Sequence, residues 1–284
     1  MSASPGSEAL AAQPRALIVT TYGLYARENG DWFSIASLIR LMSELDVDQP
    51  AVRSATSRLK QRGLLEPRRE GGAAGYGLSA RGSRILAEGD RRIFGRPRAS
   101  TADGWVLAVF SVPEQHRARR HTLRSRLAWL GFGTVAAGVW IAPGQVAAEA
   151  RDMLAADGLA DYVTLFTAGY LAFADVRQQV TRWWDLHRLE QLYQAFIDAA
   201  APVLDRWKAR PGDAGQAYAD YVRVLTAWRR LPFLDPGLPP ELLPGDWHGS
   251  RAEALFGELR GTLAGPARDH VLAVAGLPAG AQPR

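Results

Sequence analysis

Gln49, Arg53, Ser54, Ser57, Arg58, Lys60 and Gln61 combine types and spacing that suit contact with a nucleic acid. On a helix of 3.6 residues per turn, Ser54, Ser57 and Gln61 share an outward arc flanked by Arg53 and Arg58, opposite Val52, Ala55, Thr56 and Leu59. Small hydroxyls let such a helix lie deep in a major groove, while Gln and Arg reach base edges and phosphates. Arg68, Arg69 and Tyr76 follow in a Gly-rich stretch, and arginines there suit phosphates or a minor groove. Enzymatic chemistry has little to stand on. The histidines His116, His121, His187, His248 and His270 are scattered without metal-ligand spacing, and there is no GxSxG elbow or Walker loop. Gly131-Phe132-Gly133 joins a helix to a strand, the reverse of the order a dinucleotide fingerprint needs.

The elements that must position these residues follow from the local pattern. Ile35, Leu38, Ile39, Met42 and Leu45 recur at helical spacing and predict a first helix. Asp46 and Asp48 interrupt it, and Asp48 is placed to cap a second helix from about Gln49, with Pro50 tolerated in its first turn. Gly63 ends that helix, Leu64-Leu65-Glu66-Pro67 begins a strand, and Arg68 to Tyr76 reads as the loop of a hairpin. Helix, turn, helix and basic hairpin are the order of a winged helix-turn-helix. Ala16 to Arg27 is expected to open this domain as a helix, and Ser79 to Phe94 to close it as another. Gly95 to Ser100 is rich in breakers and reads as a linker.

Beyond it the chain changes character. Gly104 to Val112 is a nearly continuous apolar run, the mark of a buried strand. Glu114 to Leu130 reads as a helix, with Arg117, Arg119, Arg120, Arg124 and Arg126 around Leu123, Leu127 and Leu130. Thr134 to Ala142 supplies two short strands bent at Gly138, about Gln145 to Ala156 another helix, and Tyr162 to Phe166 a last strand. Strand, helix, strand, strand, helix, strand is the order of a ferredoxin-like unit, whose sheet face commonly meets a partner. After Asp175 the pattern is helical, with three amphipathic stretches over Leu186–Leu204, Tyr218–Trp228 and Ala252–Leu263. Leu231 to Trp247 is too proline-dense for regular structure and too apolar to be free in solvent, so it should pack as an ordered strap. The expected division is 1–14 a disordered tail, 15–96 the winged helix, 101–175 the ferredoxin-like domain, 176–276 a helical C-terminal domain and 277–284 a flexible tail: an α+β multidomain protein.

Charge agrees with that division. Residues 15–98 carry 15 Lys/Arg against 9 Asp/Glu, whereas the remainder carries 19 against 20. A basic first domain on a nearly neutral remainder is expected where one domain alone meets phosphates. The absence of cysteine excludes disulfides and thiolate metal sites. No apolar run is long enough to span a membrane, and the start lacks a signal-peptide pattern, so the expectation is a cytoplasmic protein.

The winged-helix segment, the run Leu127 to Pro143 (LAWLGFGTVAAGVWIAP) and the strap Arg229 to Gly249 (RRLPFLDPGLPPELLPGDWHG) together resemble the PaaX family, repressors named for phenylacetate degradation, in the same order between Arg15 and Ala264. The resemblance implies a Cas2-like central domain, homodimerisation, and release from operator DNA by an aryl-CoA or other acyl-CoA thioester such as phenylacetyl-CoA. One departure is that Val224 to Trp228 lacks the histidine that family members often carry before the double arginine. A CoA thioester needs cations for its phosphates and an apolar slot for its acyl group. Arg182, Trp183, Trp184 and His187 at one helix start, and Trp228, Arg229 and Arg230 at another helix end, are the candidates. No cofactor, metal or catalytic residue is expected. The rival readings are a winged-helix adaptor for proteins and a Cas2-like metal-dependent nuclease. The latter needs an aspartate at the end of the first strand, where Phe110-Ser111-Val112-Pro113 stands instead.

Overall fold

The computed structural model describes residues 10, 12–27, 30–95, 97–171 and 173–276. The expected tail at 277–284, and 1–9 and 11 of the N-terminal one, lie outside them. The chain groups into two compact units, one of Met1–Arg91, Tyr193–Arg229 and Gly249–Arg284, the other of Arg92–Leu192 and Arg230–His248. The helical segment at 176–276 is thus shared between the units.

In the first unit, α1 (Pro14–Thr21) runs into one turn of π-helix (Tyr22–Ala26). β1 (Trp32–Ser34) leads directly into α2 (Ile35–Ser43), capped by Ser34, whose hydroxyl accepts from the Ser37 amide. Leu38, Leu41, Met42 and Leu45 are the buried residues of this segment, while Ile35 and Ile39 are only half-buried. After a turn through Asp46, in the left-handed region, comes α3 (Gln49–Gln61), whose Val52, Ala55, Thr56 and Leu59 are buried. Asp48 caps it by accepting from the Ala51 amide at 2.7 Å, and Gly63 leaves it at φ +67°.

The Gly-rich stretch differs from expectation. Instead of a long loop, β2 (Leu65–Glu70) and β3 (Ala73–Leu78) form a hairpin with only Gly71 and Gly72 at its tip, both at positive φ, as tight hairpin turns favour. β1 adds a third strand that the sequence pattern did not suggest, in the order β1-β3-β2, all antiparallel. Gly75 sits in β3 because a Cβ there would lie 2.1 Å from the Phe33 carbonyl and 2.8 Å from the Trp32 ring. α4 (Ala80–Gly95) follows.

The second unit contains β4 (Trp105–Phe110), α5 (Arg117–Leu130), β5 (Gly133–Ala136), β6 (Val139–Pro143), α6 (Ala147–Ala156), β7 (Val163–Ala168) and α7 (Val176–Trp183). Its sheet is antiparallel throughout, in the order β5-β6-β4-β7. Val106, Ala108 and Trp140 meet Leu123, Leu127, Leu130, Ala150 and Leu154 in one core. Gly131 ends α5 in the left-handed region and Gly133 admits the Trp184 ring, which an added Cβ would approach to 2.6 Å.

α8 (Leu186–Ala209) begins in this unit and continues into the first, where α9 (Ala214–Trp228) and α11 (His248–Ala275) accompany it. The strap between them is not wholly irregular: it holds one helical turn, α10 (Leu231–Leu234), and a 3-10 turn at Pro240–Leu242. It is tied to the linker by Arg98 on Asp235 at 2.9 Å and by the Ala99 amide on the Gly237 carbonyl at 2.9 Å. Arg92, buried, lies 4.7 Å from the Trp129 ring centre and 5.5 Å from that of Phe233.

Candidate nucleic-acid interface

The cap at Asp48 and the buried stripe of α3 together decide which residues look outward. Gln49, Arg53, Ser54, Ser57, Arg58, Lys60 and Gln61 are all exposed. With the Gln49 amide oriented carbonyl-first, the Arg53 guanidinium donates to it at 3.0 and 3.2 Å, which holds the arginine extended along the start of the helix. Arg53 also lines a concavity of about 340 Å³ with Ile35, Pro67, Arg68, Arg69, Ala74, Gly75 and Tyr76. The helix and the hairpin therefore share one cationic hollow.

The hairpin's two arginines are placed differently. Arg69 is exposed, whereas Arg68 turns inward, donating to the Gly30 carbonyl and pairing with Glu70. Tyr76 is half-buried, and its carbonyl accepts from the Tyr22 hydroxyl at 2.9 Å. Burial pushes the Tyr22 phenol well above its ordinary pKa, so it remains a donor.

The C-terminal helices hold this module from behind. Thr20 and Thr226 hydroxyls meet at 2.7 Å, and those of Thr21 and Tyr218 at 3.1 Å. Arg223 pairs with Asp46 in the inter-helix turn at 2.6 Å, and His270 with Glu44 at the end of α2 at 2.8 Å. Sequence periodicity gave those helices an apolar face but no partner for it.

The two sets of ligand candidates fall in different units. Trp228 is buried in the first, stacked on Phe256 at 4.8 Å and beside Phe196, with Arg229 next to it donating to the Ala16 carbonyl at 3.3 Å. Arg230 begins the strap segment of the second unit and is exposed. Trp183 and Trp184 lie against Trp105, with ring centres at 5.7 and 6.1 Å, while Arg182 and His187 are exposed. Trp184 lines a cavity of about 340 Å³ with Asp185, Leu186, Arg188, Leu189, Leu192, Leu234 and Pro236. Leu234 and Pro236 were not legible in the sequence, because their proximity to Trp184 depends on how the strap runs; Arg188 lies four residues on, at the start of α8. In the basic helix α5, Arg119 and Arg126 engage Asp157, and Arg120 engages Glu114 and the Val112 carbonyl.

Three sequence-family models match the chain in succession. They are described as PaaX-like protein over residues 13–82, PaaX protein central Cas2-like domain over 98–180, and PaaX-like protein C-terminal domain over 184–273. Among curated proteins the chain is similar to the transcriptional repressor PaaX of Escherichia coli (strain K12), with 28% identity over 244 residues, 84% of this chain and 77% of that protein. Among solved structures it is similar in fold to an uncharacterised protein from Mycobacterium tuberculosis, with TM-score 0.53 and 24% identity, covering 87% of this chain and 99% of that one.

Proposed function

The chain belongs to the PaaX family, and from that premise we propose that it is a transcriptional repressor of a catabolic operon, a homodimer released from its operator by an acyl-CoA thioester such as phenylacetyl-CoA. In this reading the N-terminal residues work as a winged helix-turn-helix, the four-stranded unit as a ferredoxin-like domain, and the protein is not an enzyme.

The observation that carries the reading is the solvent face of α3: residues 49–65 hold Arg53, Arg58, Lys60 and Arg62 without one carboxylate. Arg53, Ser54, Ser57, Arg58 and Gln61 read or position on the major groove, Gln49 steadies Arg53, and Arg69 meets phosphate from the hairpin that Arg68 supports from within. A two-fold dimer then requires an inverted-repeat operator with half-sites about one helical turn, roughly 10 bp, apart or a multiple of it. The Trp184 cavity offers an acyl group Leu186, Leu189, Leu192, Leu234 and Pro236, with Arg188 and Asp185 as its charged lining. A thioester that favours a dimer geometry mismatched to the half-site spacing lowers affinity for DNA.

The test is the affinity of the purified protein for promoter fragments of its own and neighbouring genes across a salt series, with and without phenylacetyl-CoA. Specific, salt-dependent binding weakened by the thioester is the expected result. Specific binding indifferent to phenylacetyl-CoA would remove that effector, and no specific binding to any fragment would remove the repressor.

A further inference from the structure

We infer that Arg62 and Arg81 form a second phosphate-binding edge of the DNA interface, at the end of α3 away from Arg53 and supplied in part by α4. The inference rests on the DNA-binding reading above and adds residues outside the helix-turn-helix to it.

The placement of Arg81 is built, not incidental. Ser79, just before α4, accepts from the Gly82 amide at 3.0 Å and donates to the Gly63 carbonyl at 2.6 Å. The Ser79 amide in turn donates to the Leu64 carbonyl at 3.1 Å. Gly82 permits this seam, since a Cβ there would lie 2.3 Å from the Leu64 carbonyl oxygen. The start of α4 is thereby locked onto the chain leaving α3, and the exposed Arg81 guanidinium reaches the Arg62 carbonyl at 3.4 Å. Arg58 lies one turn before Arg62, and Arg84 nearly one turn after Arg81; all four are exposed.

Charge makes the edge a phosphate site in preference to a solvated helix surface. Residues 79–87, like 49–65, contain no Asp or Glu, so six cations, Arg53, Arg58, Lys60, Arg62, Arg81 and Arg84, come from two segments without an acidic residue in either. Arg151 and Arg206, by contrast, each pair with a carboxylate, on Asp152 and Asp220. The Arg81 guanidinium on the Arg62 carbonyl adds a cation to the end of α3, and a polyanion neutralised along this edge is bound with release of its counterions. A helix in the major groove has a phosphate strand on either side. The hairpin addresses one, and the Arg62–Arg81 edge is positioned for the other.

Each phosphate contact contributes about 0.9 to the slope of log affinity against log salt. The full-length double variant Arg62→Gln/Arg81→Gln is therefore expected to lower the slope by about 1.8, equally on the operator and on an unrelated duplex of the same length, because phosphate contacts carry no sequence. Arg62→Lys/Arg81→Lys should keep the wild-type slope, which a merely structural role for the guanidinium groups would not predict. Arg151→Ala in the second unit serves as the control for charge removal as such. A folded Gln variant that retains the wild-type slope overturns the inference while leaving the DNA-binding reading intact. A wild-type protein with no salt-dependent affinity for any duplex overturns both.

Discussion

The Tyr218 hydroxyl, with no solvent exposure, lies 3.1 Å from the hydroxyl of Thr21, itself fully buried, across 197 residues of sequence. One bond thus joins the helix that opens the N-terminal module to a helix near the other end of the chain. Tyr218→Phe leaves the Thr21 hydroxyl without this partner in the core and is expected to cost about 0.5–1.5 kcal/mol. Tyr218→Ala removes the ring as well and should cost about 3–5 kcal/mol. Chemical denaturation of the full-length protein measures both. A chain ending at Arg98 exposes the surface that α9 covers and should show no cooperative unfolding.

Arg53 and the two hairpin arginines should separate by assay. Arg53→Ala is expected to weaken operator binding by about 1–3 kcal/mol and relax sequence preference. Arg69→Ala should lower the salt slope by about 0.9. Arg68→Ala should leave the slope alone and lower thermal stability by less than about 1 kcal/mol, since its pair with Glu70 is partly exposed. Affinity titrations at several salt concentrations, paired with melting curves, separate the three.

Gly133→Ala places a methyl 2.6 Å from the Trp184 ring and from the Trp183 carbonyl. Overpacking of this kind costs about 1–3 kcal/mol. Tryptophan fluorescence should shift with it, because Trp184 also donates from its indole to the Gly131 carbonyl at 2.9 Å. An unchanged spectrum and an unchanged midpoint would refute the close approach.

Alkaline pH should unfold the first unit. Burial pushes the Tyr221 phenol up from 10.0 to about 12 and those of Tyr218 and Tyr22 higher still. Since the folded values exceed the unfolded one, the stability these groups confer is full below pH 10 and is lost as pH rises through the folded values, at up to about 1.4 kcal/mol per pH unit for each tyrosine. Tyr221→Phe should flatten the decline in denaturation midpoints above pH 10.

How far the sequence could be read varied with the kind of signal. α3 was legible because Asp48, Pro50 and Gly63 are local signals whose physics does not depend on the rest of the chain. The hairpin was misjudged because glycine has two uses: Gly71 and Gly72 make the turn, but Gly75 is a strand residue kept bare by Trp32 and Phe33. Trp228 and Trp184 are the same residue type beside the same kind of arginine, yet one is stacked in a core and the other lines a cavity. What surrounds each is set by elements distant in sequence, Phe256 of α11 for Trp228 and Trp105 of β4 with Leu234 and Pro236 of the strap for Trp184, and no spacing rule encodes those pairings. Arg81 escaped notice because its neighbour Arg62 is brought to it by the Ser79–Gly63 seam, not by helical periodicity.

The first unit is assembled from both ends of the chain, and this has a consequence during synthesis. Ribosomes elongate at about 5–20 residues per second. Between Arg91, where the chain leaves that unit, and Val274, whose carbonyl accepts from Ser37 at 3.4 Å, about 10–40 s of translation elapse. During that interval the nascent N-terminal segment lacks the helices that bury its back face, and its long-range contacts are of the slow-forming kind. A polypeptide interrupted before α11 therefore lacks the Ser37–Val274 and Glu44–His270 contacts that close the back of the first unit.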